Sequence, residues 1–195
     1  MDWVSIVTYD KSTNASTLTA LLGLTSNYTT AMQACTNMQA AGNSGASTAT
    51  ETGLIAGYNL IKAKSQGGTG RESTQKVVVL LTDGMANLYS SGNSTISSYR
   101  SSHPNSDYYG GSGNYASDAA LMQADTMKSG KWKMYPVGLG LGQDQDFMDR
   151  MARMGGTADS NGDSAHTSGD PSAYETELSN IFKQIVDNPQ VRLVQ

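Results

Sequence analysis

An aspartate ends the most apolar stretch of this chain. Residues 76–87 read KVVVLLTDGMAN, with five apolar residues in a row from Val77 to Leu81 and then Thr82, Asp83 and Gly84. The run is too short for a membrane span and rich in β-branched side chains. It reads as a strand buried on both faces, as in the middle of a parallel sheet. A hydroxyl and a carboxylate therefore stand where a central strand stops, and ligands of open α/β sheets bind at the carboxyl ends of strands. That places Asp83 for chemistry. The alternative is that Asp83-Gly84 is only a turn.

Other candidates are weaker. Thr48, Thr50 and Thr52 stand just ahead of a helical pattern and are able to cap it or to offer hydroxyls to a ligand. Cys35, His103 and His166 do not assemble into a nucleophile–base pair, since both histidines lie in polar loops. No nucleophile elbow, P-loop or HExxH is present. Gly138, Gly140 and Gly142 are spaced GxGxG rather than GxGxxG and no acidic residue is placed for a ribose, so a dinucleotide site is rejected. The sequons at Asn14, Asn27 and Asn93 are what chance gives in a chain this rich in Ser and Thr.

The elements that would position these residues alternate between strand and helix. The chain starts in a strand around Trp3–Tyr9. A helix is expected over roughly Thr29–Gln39, with Ala31, Cys35 and Met38 on one face, ended by Gly42 and Gly45; Cys35 is expected to be a small buried or half-buried hydrophobe. A second amphipathic helix runs from Gly53, with Leu54, Tyr58 and Ile61 on one stripe. After the Asp83 strand, residues 88–115 are rich in Ser, Gly, Asn and Tyr and read as a long surface excursion. Its tyrosines (Tyr89, Tyr99, Tyr108, Tyr109, Tyr115) suit a contact surface as well as a linker. A helix follows over Ala116–Ser129, then a strand in KMYPVGLGLG, a short helix over Asp144–Met154, and polar loop over 157–170. A last helix opens at Pro171 and carries Leu178, Ile181, Phe182 and Ile185; Pro189 stops it, and VRLV (191–194) is a candidate final strand. This alternation predicts one α/β domain over residues 1–195 with a mainly parallel, doubly wound sheet and helices on both faces.

At 195 residues the chain is long enough for one sizeable core. A formal net charge of -4 leaves no basic footprint for nucleic acid or anionic lipid. No apolar run approaches the ~20 residues that span a bilayer, and the N-terminus lacks the pattern of a signal peptide. A single cysteine excludes an internal disulfide and a multi-cysteine zinc cluster. Low charge and a Ser/Thr/Asn/Gly surface suit an exported protein.

The order WVSIVTYD, LTSN and a helix, S-T-x-T-x-x-G-L opening a helix, VVVLLTDG, then MYPVGLG resembles the von Willebrand factor type A domain. That resemblance implies a metal-ion-dependent adhesion site built by three loops: D-x-S-x-S after a first strand, a threonine before a G-L helix, and the aspartate of T-D-G. Thr48 and Asp83 match the second and third. It implies Mg²⁺, or Mn²⁺ or Ca²⁺, held by carboxylate, hydroxyls and waters, a donor set that suits a hard cation. It implies binding rather than catalysis. The family's first strand and its D-x-S-x-S should precede WVSIVTYD and are not in the sequence, so weak metal affinity is expected and the sheet lacks its usual first strand. Asp10-Lys11-Ser12-Thr13-Asn14 imitates D-x-S-x-N but falls in the wrong loop.

The stretch GLGLGQDQDFMDRMARMGG, then DPSAYETELSNIFKQI, then VRLVQ is similar to the tail of TadG-like proteins of bacterial Tad (Flp) pilus assembly. This implies an extracytoplasmic domain of a longer membrane-anchored protein, without a span in this chain. The leading expectation is a non-enzymatic module that binds a pilus, envelope or surface protein partner through Thr48, Asp83 and the tyrosines Tyr89, Tyr99, Tyr108 and Tyr109. The alternative is a metal-independent scaffold of envelope assembly. An enzyme using Asp83 is disfavoured because no acid–base partner stands at plausible spacing.

Overall fold

The structure is a computed structural model, described here for residues 2–18, 20–38, 47–105, 114–140, 144–167, 170 and 172–187. Five strands and six helices are defined within them. β1 (Val4–Val7) and β2 (Ala20–Thr25) pair antiparallel in a sheet of their own. β3 (Val77–Thr82), β4 (Lys133–Gly138) and β5 (Ala165–His166) form a parallel sheet in the order β3-β4-β5. Its register runs without a break from Val77 opposite Lys133 to Thr82 opposite Gly138. The short β5 lies in the segment expected to be polar loop; Val137 and Gly138 recruit it by pairing with Ala165 and His166.

Helices cover both faces of this sheet. On one side α2 (Thr50–Ile61), α4 (Tyr115–Ser129) and α5 (Gln145–Gly155) bury Leu54, Leu121, Met127, Phe147, Met148 and Met151 against Leu80 and Met134. On the other, α6 (Tyr174–Asp187) packs Ile181 and Ile185 on Tyr135 and Val137. Met134 and Tyr135 point to opposite faces because side chains alternate along a strand, so one strand serves two cores. α5 sits close to β4 because Gly155 has no Cβ; one built there would lie 2.6 Å from the Met134 carbonyl oxygen. Its start is capped by Asp144, whose carboxylate accepts from the Phe147 N–H at 3.1 Å. Gly156, at φ +65°, ends it in the left-handed conformation that glycine tolerates.

Three expectations are corrected. The region 88–115 is not surface excursion throughout: α3 (Asn93–Ser102) lies within it and packs on α4. The serines hide an amphipathic pattern in which Ile96 and Tyr99, three apart, are both buried. Cys35 is exposed on α1 (Tyr28–Thr36), where only Ala31 is buried. β3 is not covered on both sides along its length, since Val79 is 36% and Leu81 40% exposed. On that face α6 packs over Tyr135 and Val137 of β4, and of β3 it is Val77 that joins this cluster, which leaves Val79 and Leu81 uncovered; among the described residues no strand pairs with the other edge of β3. Gly42, Gly45, Pro171, Pro189 and VRLV lie outside the described residues.

Candidate metal and partner-binding site

Thr82 closes the turn after β3. Its hydroxyl donates to the Gly84 carbonyl at 3.0 Å and accepts from the Gly84 N–H at 3.4 Å. This throws the Asp83 side chain outward, where it is exposed at the carboxyl end of the parallel strands. Among the described residues its carboxylate takes no hydrogen bond. The Asp-Gly pair is thus a turn, as the plainer reading held, and one that presents a carboxylate.

Thr48 is brought to the same place by backbone pairing. Its N–H donates to Asn87 Oδ1 at 2.7 Å, and its carbonyl accepts from the N–H groups of Asn87 (3.1 Å) and Leu88 (3.4 Å). The Thr48 hydroxyl lies against the post-β3 turn, 3.1 Å from where a Gly84 Cβ would be. A side chain at this position would make the Thr48 hydroxyl give way by a few tenths of an ångström. Next to Thr48, the Ala49 N–H donates to the Asp10 carbonyl at 2.7 Å, which joins the loop after β1 to the same cluster.

Glu51 holds this arrangement together, and the sequence reading did not single it out. Its side chain is fully buried in the first turn of α2. Oε2 accepts from the Ser90 N–H (2.6 Å), the Ser90 hydroxyl (3.2 Å) and the Ser91 N–H (3.2 Å), while Oε1 accepts from the Ser91 hydroxyl. Buried charges persist when hydrogen-bonded, and here a carboxylate fastens the segment leaving Asp83 to the helix that follows Thr48. An acidic residue in a helix's first turn with a Ser-Ser pair downstream was the available signal, but nothing local says that they meet.

Tyr9 completes the neighbourhood. Its hydroxyl donates to the Leu81 carbonyl at 3.0 Å. Burial pushes the phenol above its ordinary pKa and the Asp83 charge adds to that rise, with the Thr82 and Thr50 hydroxyls opposing it. The Tyr9 ring rests on α2 at Gly53, where an added Cβ would meet it at 2.7 Å. The stripe of α2 falls as expected, Leu54 in the core with Tyr58 and Ile61 packed on it. The helix begins at Thr50 rather than Gly53, and its N-terminus has no side-chain cap. Thr52, buried in its first turn, leaves a hydroxyl oxygen without a hydrogen-bond partner.

The tyrosines are placed differently. Tyr99 is 8% exposed and lies tilted against the His103 ring with centroids 4.5 Å apart, inside the α3 packing rather than on a contact face. Its position three residues after Ile96 puts it on the buried stripe. Tyr89 is half-buried, stacked on Tyr115 at 6.1 Å and donating to Asn93 Oδ1 at 3.1 Å. Tyr115 also underlies Arg100 at 5.2 Å, and Arg100 pairs with the fully buried Asp118 at 2.9 Å. Tyr108 and Tyr109 lie outside the described residues.

The donors fit a particular kind of ion. Among the described residues no three His, Cys, Asp or Glu side chains gather around a point. Thr48 and Asp83 supply hydroxyl and carboxylate oxygen, which suits a hard cation that keeps most of its water, as Mg²⁺ does with one or two carboxylates. They do not make a cage for a softer metal.

Residues 2–184 match the von Willebrand factor type A domain, and the chain belongs to that family, whose domains mediate protein–protein interactions. Among solved structures it is similar to proximal thread matrix protein 1 from the mussel byssus with a zinc-occupied MIDAS motif, at 16% identity and a TM-score of 0.59 over 95% of this chain. A second crystal form of the same mussel protein superposes with a TM-score of 0.52 at 16% identity over 93% of the chain. The chain spans 36% and 34% of those two chains, about a third of their length. No curated protein sequence matches it.

Proposed function

We propose that this domain binds a protein partner through the carboxyl end of β3, with Thr48 and Asp83 as the protein ligands of a hydrated divalent cation. The observation that carries the reading is the approach of the Thr48 hydroxyl to the Asp83-Gly84 turn, held by Asn87 and Glu51. A bound Mg²⁺ or Mn²⁺ would supply an electrophilic position for a carboxylate of the partner. Thr48 and Asp83 would hold it from the protein side, and the Glu51 clasp keeps their loops from separating. The zinc-occupied motif of the mussel protein supports a divalent ion as the class of ligand. The similarity of the C-terminal third to TadG-like proteins supports an extracytoplasmic place in a bacterial envelope or pilus-assembly protein that is anchored elsewhere in its length. Nothing in the site supplies an acid–base pair, which supports binding over catalysis.

A metal-independent scaffold is the second reading, favoured by the lack of a three-ligand acidic cluster among the described residues. Thermal melts with millimolar Mg²⁺ or Mn²⁺ on the chain and on Asp83→Ala separate the two. At a tenfold excess over Kd, linkage gives about 1.4 kcal/mol, or a rise of roughly 3–6 °C for a domain this size. The rise should vanish in Asp83→Ala. A melt of the unaltered chain indifferent to metal favours the scaffold.

A further inference from the structure

The formal net charge of -4 conceals a local reversal. Residues 62–76 carry Lys62, Lys64, Arg71 and Lys76 against one acid, Glu72, and residues 128–133 carry Lys128, Lys131 and Lys133 against none. The two segments hold seven of the thirteen Lys and Arg and one of the seventeen Asp and Glu. Their balance is +6, so the remainder of the chain carries -10.

The fold joins these segments at the end of the parallel sheet where β3 and β4 begin. The Lys133 N–H donates to the Lys76 carbonyl at 3.0 Å, and Gln75 Nε2 donates to the Lys131 carbonyl at 3.0 Å. Lys62, just past α2, lies over the Tyr58 ring at 5.6 Å, and that ring stacks on Trp132 at 4.9 Å. Lys64, Arg71 and Lys131 are exposed. Burial holds the Lys76 ammonium below its ordinary pKa; Glu72 opposes this and the nearby Arg71 charge adds to it. Glu72 itself is engaged by Ser65, whose N–H and hydroxyl donate to it at 2.9 and 3.0 Å. The six residues of β3 put this basic end roughly 20 Å from Asp83.

Lysines near helix C-termini complement the macrodipole, but α2 and α4 end here with roughly half a negative charge each, far short of the +6 present. We propose that this end of the domain docks on an anionic lipid surface. Six of the seven cations are lysines, point charges on flexible stems, whereas arginine is the side chain that forks onto single phosphates. The one aromatic residue of the two segments, Trp132, is 7% exposed, so no ring is offered to a nucleic-acid base. Diffuse lysine charge without stacking groups suits a plane of headgroups, as clusters of ~4–8 basic residues do beside membranes. Lys131 stands at φ +60°, where glycine would be unstrained, so the chain keeps a cation there against its backbone preference. Docked this way, the domain turns its Asp83 end away from the bilayer. This does not depend on metal at Asp83.

The test is flotation of the full chain, in EDTA and about 50 mM salt, with vesicles of phosphatidylcholine containing about one-third phosphatidylglycerol. Binding is expected to these vesicles and not to pure phosphatidylcholine, weakened about tenfold or more at about 500 mM salt. Lys64→Glu and Lys131→Glu should each weaken it about fivefold or more. Lys11→Glu, an equal change in charge beside the Asp10 loop at the Asp83 end, should weaken it less than about twofold. Lys131→Gly separates charge from folding: relief of the left-handed conformation should raise the melt while vesicle binding falls. No binding to anionic vesicles at low salt overturns the proposal, and so does an equal loss from Lys11→Glu. Retention on heparin or duplex DNA without vesicle binding overturns it in favour of a soluble polyanion.

Discussion

Replacing Glu51 by alanine removes an acceptor that serves two backbone N–H groups and two hydroxyls. The hydroxyls of Ser90 and Ser91 can turn to water, but the N–H groups are fixed in a partly buried segment. Each unsatisfied donor costs roughly 1–3 kcal/mol, and partial access to water brings the sum to about 3 kcal/mol. Glutamine is a sharper probe. With its carbonyl in the place of Oε2 it keeps three of the four bonds, and its amide group meets only the Ser91 hydroxyl, which can rotate to accept. Only charge assistance is lost, about 1 kcal/mol. For a domain of this size these translate to falls in Tm of roughly 6–12 °C and 2–4 °C. Thermal and denaturant melts of Glu51→Ala and Glu51→Gln measure both, and hydrogen exchange should speed up at Ser90 and Ser91 in the alanine variant. An alanine variant within ~0.5 kcal/mol of the parent, or a glutamine variant as damaged as alanine, would refute the reasoning.

Gly53→Ala should destabilise by about 1–2 kcal/mol although alanine is the better helix former, because its Cβ would meet the Tyr9 ring at 2.7 Å; paired with Tyr9→Ala, the loss should be less than additive in chemical melts. Alkali should unfold the domain partly through Tyr9 and Tyr135, whose phenols burial pushes above the ordinary 10.0. The unfolded chain ionises first, so stability is flat below that pH and falls as pH rises through it, by at most ~1.4 kcal/mol per pH unit for each group. Tyr9→Phe and Tyr135→Phe should flatten that fall in melts taken between neutral and alkaline pH. Leu121→Ala, at a fully buried position of α4, should cost roughly 2–5 kcal/mol by leaving a cavity, seen as a lower denaturant midpoint with unchanged slope.

The elements that the sequence made legible are those whose apolar periodicity is undisturbed. The apolar run before Asp83, the stripe Leu54–Tyr58–Ile61 and the caps around α5 each carry their signal within a few residues. α3 was missed because ten residues rich in serine leave only Ile96 and Tyr99 to mark its buried face. Cys35 was misplaced because an amphipathic stripe tells which face is apolar, not whether anything covers it. The same limit applies to β3, whose apolarity announces burial while the cover over Val79 and Leu81 depends on elements elsewhere in the chain. At the site, the pattern shared with a family singled out Thr48 and Asp83, and their loops do lie side by side. Glu51 was not legible, since its partners lie 39 and 40 residues away.

The most direct test of the metal reading is electron paramagnetic resonance of Mn²⁺ titrated into the chain and into Thr48→Ala and Asp83→Ala. The account predicts one bound Mn²⁺ per chain, displaced by Mg²⁺, with binding weakened at least tenfold by the threonine change and abolished by the aspartate change. Binding that survives Asp83→Ala, or none in the unaltered chain, would contradict it.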